Sequence, residues 1–264
     1  MRTIACALAL LAAPLPAAAQ DGNVGGRYRL WQAEFEGNVT ADDNGVNGSD
    51  IDVRSTLNLG DAEPVSNFSV WAGFAGFRLF IDYYSAKYDG DSTLTQTITF
   101  AGTSFSAGSA LDSDVEWRNI TTMFEYRFGI PMSSAVLDFN LGVRLGLKYM
   151  RVHVELTSPT TSDSATIKAP APVVGFVAEL GITQYLSVGL EVDGLIVRSF
   201  GGGSASGQVI DWAFVVRGHL GPGFAGIGWR DFLLHIDVND VSGVDGGEVD
   251  VTIRGFFFEI GATF

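Results

Sequence analysis

The side chains able to make or break bonds are few and far apart. His153 shares a strand face with Glu155, His235 shares one with Asp237, and His219 stands alone. Acid–base catalysis needs partners that converge in space, so this scatter gives no catalytic set and no metal site. A more regular population of charges stands out: Arg78, Asp82, Glu125, Arg127, Asp138, Arg144, Lys148, Glu179, Glu191, Asp193, Arg217, Arg254 and Glu259. Each lies in a segment where polar and apolar residues take turns. The chemistry such a set offers is ion pairing, with opposite signs facing across neighbouring strands because isolated charges in a narrow interior are costly. A tight turn at 129–134 would set Arg127 opposite Asp138, and a hairpin through 200–206 would set Glu191 opposite Arg217. No cofactor is expected.

The elements that position these charges are strands. Leu137, Phe139, Leu141, Val143, Leu145, Leu147 and Tyr149 fall on one face, with Asp138, Asn140, Gly142, Arg144, Gly146 and Lys148 on the other. A helix would mix the two sets, whereas a period of two keeps them apart. The run is longer than the roughly 5–6 residues of an ordinary strand and matches the roughly 9–11 needed to cross a bilayer as a tilted strand. Between turn signals the pattern predicts strands over 26–39, 66–74, 77–90, 112–128, 135–156, 167–182, 185–199, 207–220, 224–239 and 248–264. The ten are joined alternately by tight turns (75–76, 129–134, 183–184, 221–223) and longer links (40–65, 91–111, 157–166, 200–206, 240–247). In hydrocarbon every backbone polar group must be paired, and for strands only a closed barrel achieves that. The expected fold is all-β: a closed antiparallel up-and-down transmembrane barrel with short periplasmic turns and longer external loops. In the first strand the apolar phase slips between Leu30 and Trp31, which reads as a bulge; a short strand within 51–60 or a count of eight strands is the alternative.

Composition narrows the classes. The 264 residues carry 30 acidic and 16 basic side chains, a formal charge of −14, which is the wrong sign for a nucleic-acid partner. Arg2, the apolar stretch Ile4–Leu15 and Ala17–Ala19 form a secretory signal with cleavage before Gln20. The domain division is therefore 1–19 as signal peptide and 20–264 as one barrel. Cys6 falls within the signal, so the exported chain is without disulfides.

The alternating strands, the signal and the ending FFFEIGATF resemble small single-chain outer-membrane β-barrel proteins of bacteria, and FRLFIDYYSAKYDGD and LGVRLGLKYMRV are similar to poorly characterised porin-like barrels of the OmpA or OmpW type. The resemblance implies residence in the outer membrane, contact with its lipid and lipopolysaccharide, and recognition of the terminal Phe264 by the barrel-assembly machinery. It carries no motif with an assigned activity. Barrel proteases of ten strands use acidic pairs with an Asp and a His two residues apart, and His235-Ile236-Asp237 has that spacing in reverse order without an acidic pair. Lipid A deacylases place a Ser two residues from a His on a late strand, and none of the histidines is followed by one. No enzymatic role is expected.

Two readings of the inner charges follow: a salt-bridged plug that fills the barrel, or a narrow polar channel for a small solute. The expected work is passive, in envelope integrity or permeation, with surface adhesion through the acidic loops as the alternative. Tyr28, Trp31, Trp71, Tyr83, Trp117, Tyr126, Phe128, Tyr149, Tyr185, Trp212 and Trp229 are expected at the membrane interfaces, where amphipathic rings anchor a barrel. Asp42, Asp43, Asp50, Asp52, Asp61 and Glu63 in the first loop, and Asp237, Asp240, Asp245, Glu248 and Asp250 near the last, read as solvated or as cation-bridged to anionic lipid.

Overall fold

The computed structural model describes residues 22–42, 47–130, 137–200, 205–241 and 244–264. Its strands are β1 (Gly22–Asp42), β2 (Ile51–Asp52), β3 (Glu63–Phe74), β4 (Phe77–Thr93), β5 (Ile98–Phe100), β6 (Thr103–Phe105), β7 (Ala110–Ile130), β8 (Asp138–Thr157), β9 (Ser162–Thr183), β10 (Leu186–Phe200), β11 (Ala205–Leu220), β12 (Gly223–Val241) and β13 (Val244–Thr263). Ten of these form the wall, each antiparallel to its chain neighbour, and β13 pairs with β1 to close it. The remaining three decorate one mouth: β2 adds to the end of β1, and β5 and β6 form a separate hairpin. Residues 1–19, expected from the sequence to be a signal segment, lie outside the described residues.

The wall is a closed ten-strand transmembrane barrel because its lipid-facing stripe is continuous. Phe68, Val70, Leu79, Ile81, Phe124, Val143, Leu145, Phe176, Phe214, Phe256 and Phe258 all point outward and are exposed. The stripe occupies only the half of each strand nearer the tight turns. The first of these turns, Ala75-Gly76, has positive φ at both residues (50° and 83°), the geometry that lets a two-residue hairpin follow strand twist. Both ends of the barrel sequence emerge at this side, where Val24 and Phe264 exchange backbone hydrogen bonds of 3.0 and 2.7 Å.

In the other half the interior turns apolar. Trp31, Phe35, Tyr88, Trp117, Val152, Leu234, Val251 and Ile253 point inward and are buried, while Lys87, Asp89, Asp91, Asp112 and Glu155 point outward. The side-chain phase along β1 explains the slip read as a bulge. Arg27 and Arg29 face inward, and so do Trp31, Ala33 and Phe35. The pairing of β1 with β3 keeps one register from Gly22↔Phe74 to Ala33↔Glu63. No residue is inserted; the strand leaves the lipid belt and its inward positions change chemistry.

Long external loops are confined to the first two connections. β8 and β9 are joined by 158–161 alone, so the expected loop at 157–166 is largely strand. The first two loops fold inward instead of spreading into solvent. Ile51, Val53, Leu57 and Leu59 of the first, with Leu94, Ile98, Phe100 and Phe105 of the second, join the same buried cluster as the upper strands. They are tied together by Ser49 N–H to Thr99 O at 2.7 Å and Ala101 N–H to Ala41 O at 3.1 Å. Three of the expected interfacial aromatics belong to the interior: Trp31 and Trp117 lie in this core, and Trp71 stacks on Phe80 with centroids 6.4 Å apart.

A Cβ is strained in the left-handed region at Ala75. Ala75→Gly is therefore expected to raise unfolding free energy in lipid vesicles by about 0.5–1 kcal/mol, strain relief outweighing the entropy Gly adds to the unfolded chain. Urea titration of tryptophan fluorescence reads it.

Candidate functional site

Where the wall faces lipid, the inward positions carry charge, and each of the ten wall strands supplies at least one polar side chain. Glu191 of β10 is the centre. It accepts hydrogen bonds from Arg27 (Nη2 to Oε2, 2.8 Å), Arg29 (Nη2 to Oε1, 2.8 Å) and Arg217 (Nη2 to Oε1, 3.1 Å), with Arg144 Nη1 at 3.8 Å. Glu259 of β13 accepts from Arg29 Nε at 2.8 Å and from Arg217 Nε. Glu125 of β7 accepts from Arg144 Nε at 2.6 Å and from Arg127, and Arg78 lies 3.7 Å away. Glu179 of β9 reaches Arg127 at 3.3 Å. Nearer the apolar half, Asp211 holds Arg230 through two bonds of 2.9 and 2.8 Å and accepts from Lys148 Nζ at 2.6 Å. Asp82 accepts from Asn67 Nδ2 at 2.9 Å and from Ser69.

Arginine suits this work because its fork reaches two carboxylates at once while its charge stays fixed. Room for the forks comes from inward glycines. A Cβ built on Gly189 would sit 2.7 Å from Arg217 Nη1, and one on Gly175 would sit 2.1 Å from Asp193 Oδ1. The cations also lie on rings: Arg27 and Arg144 are over Phe80 at 5.4 and 5.1 Å, Arg29 over Phe257 at 4.5 Å, and Arg230 over Trp31 and Tyr84 at 5.0 and 4.9 Å. These rings join the charged layer to the apolar core above it. The space left between Arg27, Arg29, Asp82, Lys148, Glu191 and Arg230 is a cavity of about 20 Å³, room for about one water.

Of the charges expected in the lumen, Arg78, Asp82, Glu125, Arg127, Arg144, Lys148, Glu179, Glu191, Asp193, Arg217 and Glu259 face inward. Asp138 shares its face with Arg144 but lies beyond the paired layer, exposed at the rim, where it accepts a bond from Asn140. Arg254 is on the outer wall, bound to Glu36 at 2.8 Å, because the inward positions of β13 are Ile253, Gly255 and Phe257. The expected pair of Arg127 with Asp138 is replaced by Arg127 opposite Gly142, since the link between β7 and β8 is longer than the turn assumed. That slip is an even number of positions, so each side chain keeps its face and only its partner changes. Glu191 and Arg217 are not directly opposite either, yet meet diagonally at 3.1 Å. Four members were not anticipated: Arg27, Arg29, Arg230 and Asp211. Their parity with Trp31, Phe232 and Val209, once these are recognised as inward, was the available signal.

His219 lies inside near the end with the tight turns. Its Nε2 is 2.7 Å from Ser187 Oγ, which also bonds Glu179 Oε1 at 3.1 Å. Here the carboxylate holds the serine, whereas in a hydrolytic triad it orients the imidazole. His235 and Asp237 point outward, with Asp250 at 3.7 Å from His235; His153 bonds Thr166 at 2.8 Å. Among the described residues no three His, Cys, Asp or Glu side chains are grouped to hold a metal ion. In the first loop Asp52 accepts from the N–H groups of Arg54 and Ser55, and the Ser55 bond above all holds its carboxyl below the usual carboxylate range.

No family model and no curated protein matches the chain. Among solved structures it is similar to Ail, the attachment invasion locus protein of Yersinia pestis, solved with the heparin analogue sucrose octasulfate (10% identity, 92% of this chain and 99% of that one, TM-score 0.35). It is also similar to the Pseudomonas putida toluene transporter TodX (7%, 93% and 90%, 0.31) and to a Pseudomonas aeruginosa FadL homologue (10%, 93% and 90%, 0.32). At these distances the likeness assigns neither ligand nor role.

Removing the central carboxylate leaves Arg27, Arg29 and Arg217 facing one another in a dry interior. Glu191→Ala is expected to cost about 3–5 kcal/mol of unfolding free energy, against about 1 or less for Glu36→Ala on the outer wall. Denaturant titration of the two variants in vesicles compares them.

Proposed function

We propose that the protein is an integral component of the bacterial outer membrane whose barrel is sealed at membrane depth, and that it serves envelope integrity as a scaffold carrying a rigid surface tower. The observation that carries this reading is the paired layer around Glu191: arginines from β1, β8 and β11 meet one carboxylate from β10, and the space among them holds about one water. Above it the lumen is filled a second time, by aromatic side chains and the two inward-folded loops. A ten-strand wall is wider than the eight-strand barrel that side chains just fill, and here long arginine and tryptophan side chains take up the difference. In this reading residues 1–19 direct export, Phe264 immediately after β13 is the feature the barrel-assembly machinery engages, and the kinship with small OmpA- or OmpW-type barrels is one of architecture.

Surface recognition is the second reading, supported by the fixed charge of the tower. Asp89 faces Asp114 and Asp91 faces Asp112 across β4 and β7, and Lys87 bridges Asp89 and Asp114 at 2.8 and 2.7 Å. Those two bonds raise the Lys87 ammonium above its ordinary range.

Purified protein in planar bilayers is expected to give no discrete conductance steps, whereas the triple variant Arg27→Ser, Arg144→Ser, Glu191→Ser, which removes the centre of the layer, is expected to give them. Reproducible unitary steps from the unaltered protein would sink the sealed reading.

A further inference from the structure

Outside the lumen, the basic side chains divide unevenly. Arg54, Lys87, Arg118 and Arg254 each hold a carboxylate. Among the Lys and Arg residues whose side chains are described, Arg151 and Lys168 alone have no carboxylate within ion-pair distance. These two are direct partners across β8 and β9, and Arg118 stands directly opposite Arg151 on β7. All three point outward. The sheet therefore places three cations side by side on neighbouring strands, where like charges repel, and matches them with the single carboxylate of Glu116. Arg151 Nε is moreover shielded by its neighbours and makes no hydrogen bond.

Their height on the wall identifies what neutralises them. Two residues nearer the lipid belt on the same strands lie Ile120 and Tyr149, 45% and 40% exposed, again directly opposite each other. The cationic row thus runs one strand repeat, roughly 6–7 Å, above the last lipid-facing row, at the depth of the head groups. It lies on the side of the folded loops, the cell-surface side when tight turns face the periplasm.

We propose that Arg118, Arg151 and Lys168 form a binding site for the phosphorylated head group of an outer-leaflet glycolipid. A phosphate carries the charge and the acceptor oxygens that a guanidinium fork and an ammonium recognise. The acidic tower above repels the same lipid, so this row is where the lipid's charge meets its opposite. The inference rests on the outer-membrane placement proposed above.

The test uses the full folded barrel in detergent micelles, with native mass spectrometry counting bound lipid A in its bisphosphorylated and dephosphorylated forms. Arg151→Gln with Lys168→Gln is expected to weaken binding of the bisphosphorylated form about thirtyfold, while Arg151→Lys with Lys168→Arg stays within about threefold of the unaltered protein. The dephosphorylated lipid is expected to bind as weakly to the unaltered barrel as the bisphosphorylated one does to the neutral variant. Heat-modifiable mobility on gels confirms that each variant is folded. Equal binding by the neutral double variant, no preference for the phosphorylated form, or displacement by inorganic phosphate at equimolar concentration would each overturn the site. A protein that fails to insert into bilayers at all sinks the membrane placement, whereas an inserted, folded barrel without phosphate preference sinks the lipid site alone.

Discussion

A strand in hydrocarbon has nowhere to send its edge hydrogen bonds, so everything in this molecule depends on β13 finding β1. Closure removes the edge. It also divides each strand into a face that meets lipid and a face enclosed with nine other strands. Once the outward face is committed to Phe, Leu, Val and Ile, the inward face of the same segment is left for polar groups, and those groups must satisfy one another because little water remains among them. The arginine–glutamate layer is the result. Its carboxylates come from β4, β7, β9, β10, β11 and β13, and a break in closure would leave several of them without partners.

The interior inverts above the lipid belt because the exterior does. Where the outer wall meets water it carries Asp, Glu, Lys and Arg, and the inward positions become free to pack as an ordinary apolar core. A single strand such as β1 passes through both regimes without a change of register, Arg27 and Arg29 in the first and Trp31, Ala33 and Phe35 in the second. The boundary is built from groups that tolerate both sides: Arg230 lies between Asp211 and the rings of Trp31 and Tyr84, and Lys148 between Asp211 and Phe232 at 4.9 Å. The inversion has a cost. The hydroxyls of Tyr84 and Tyr88 and the indole N–H of Trp117 are buried without hydrogen-bond partners. The large apolar area around them offsets that penalty.

Charge is sorted by environment in the same way. Eight basic side chains, Arg27, Arg29, Arg78, Arg127, Arg144, Lys148, Arg217 and Arg230, face inward against seven carboxylates, Asp82, Glu125, Glu179, Glu191, Asp193, Asp211 and Glu259. The interior is close to neutral, so the excess negative charge of the chain resides mainly on the parts that meet water. A tower of this sign keeps neighbouring copies apart, and its carboxylates lie clear of the acyl region.

Strand number, the closed architecture and the facing of most inner charges are legible in the sequence, because the alternation of a strand is a local property that lipid and lumen read separately. Leu137–Tyr149 shows it plainly. Partners were not legible: Arg127 and Asp138 share a face but never meet, since register depends on where the chain turns, and the turn after β7 is longer than its residues suggested. Arg27 and Arg29 are hidden in the sequence because a change in solvent outside the wall looks, in one dimension, the same as a bulge inside it. The convergence of the inner charges on Glu191 and the inward folding of the first two loops belong to the tertiary structure alone, for they require side chains from many strands to meet, and no spacing along the chain records the distance across a barrel.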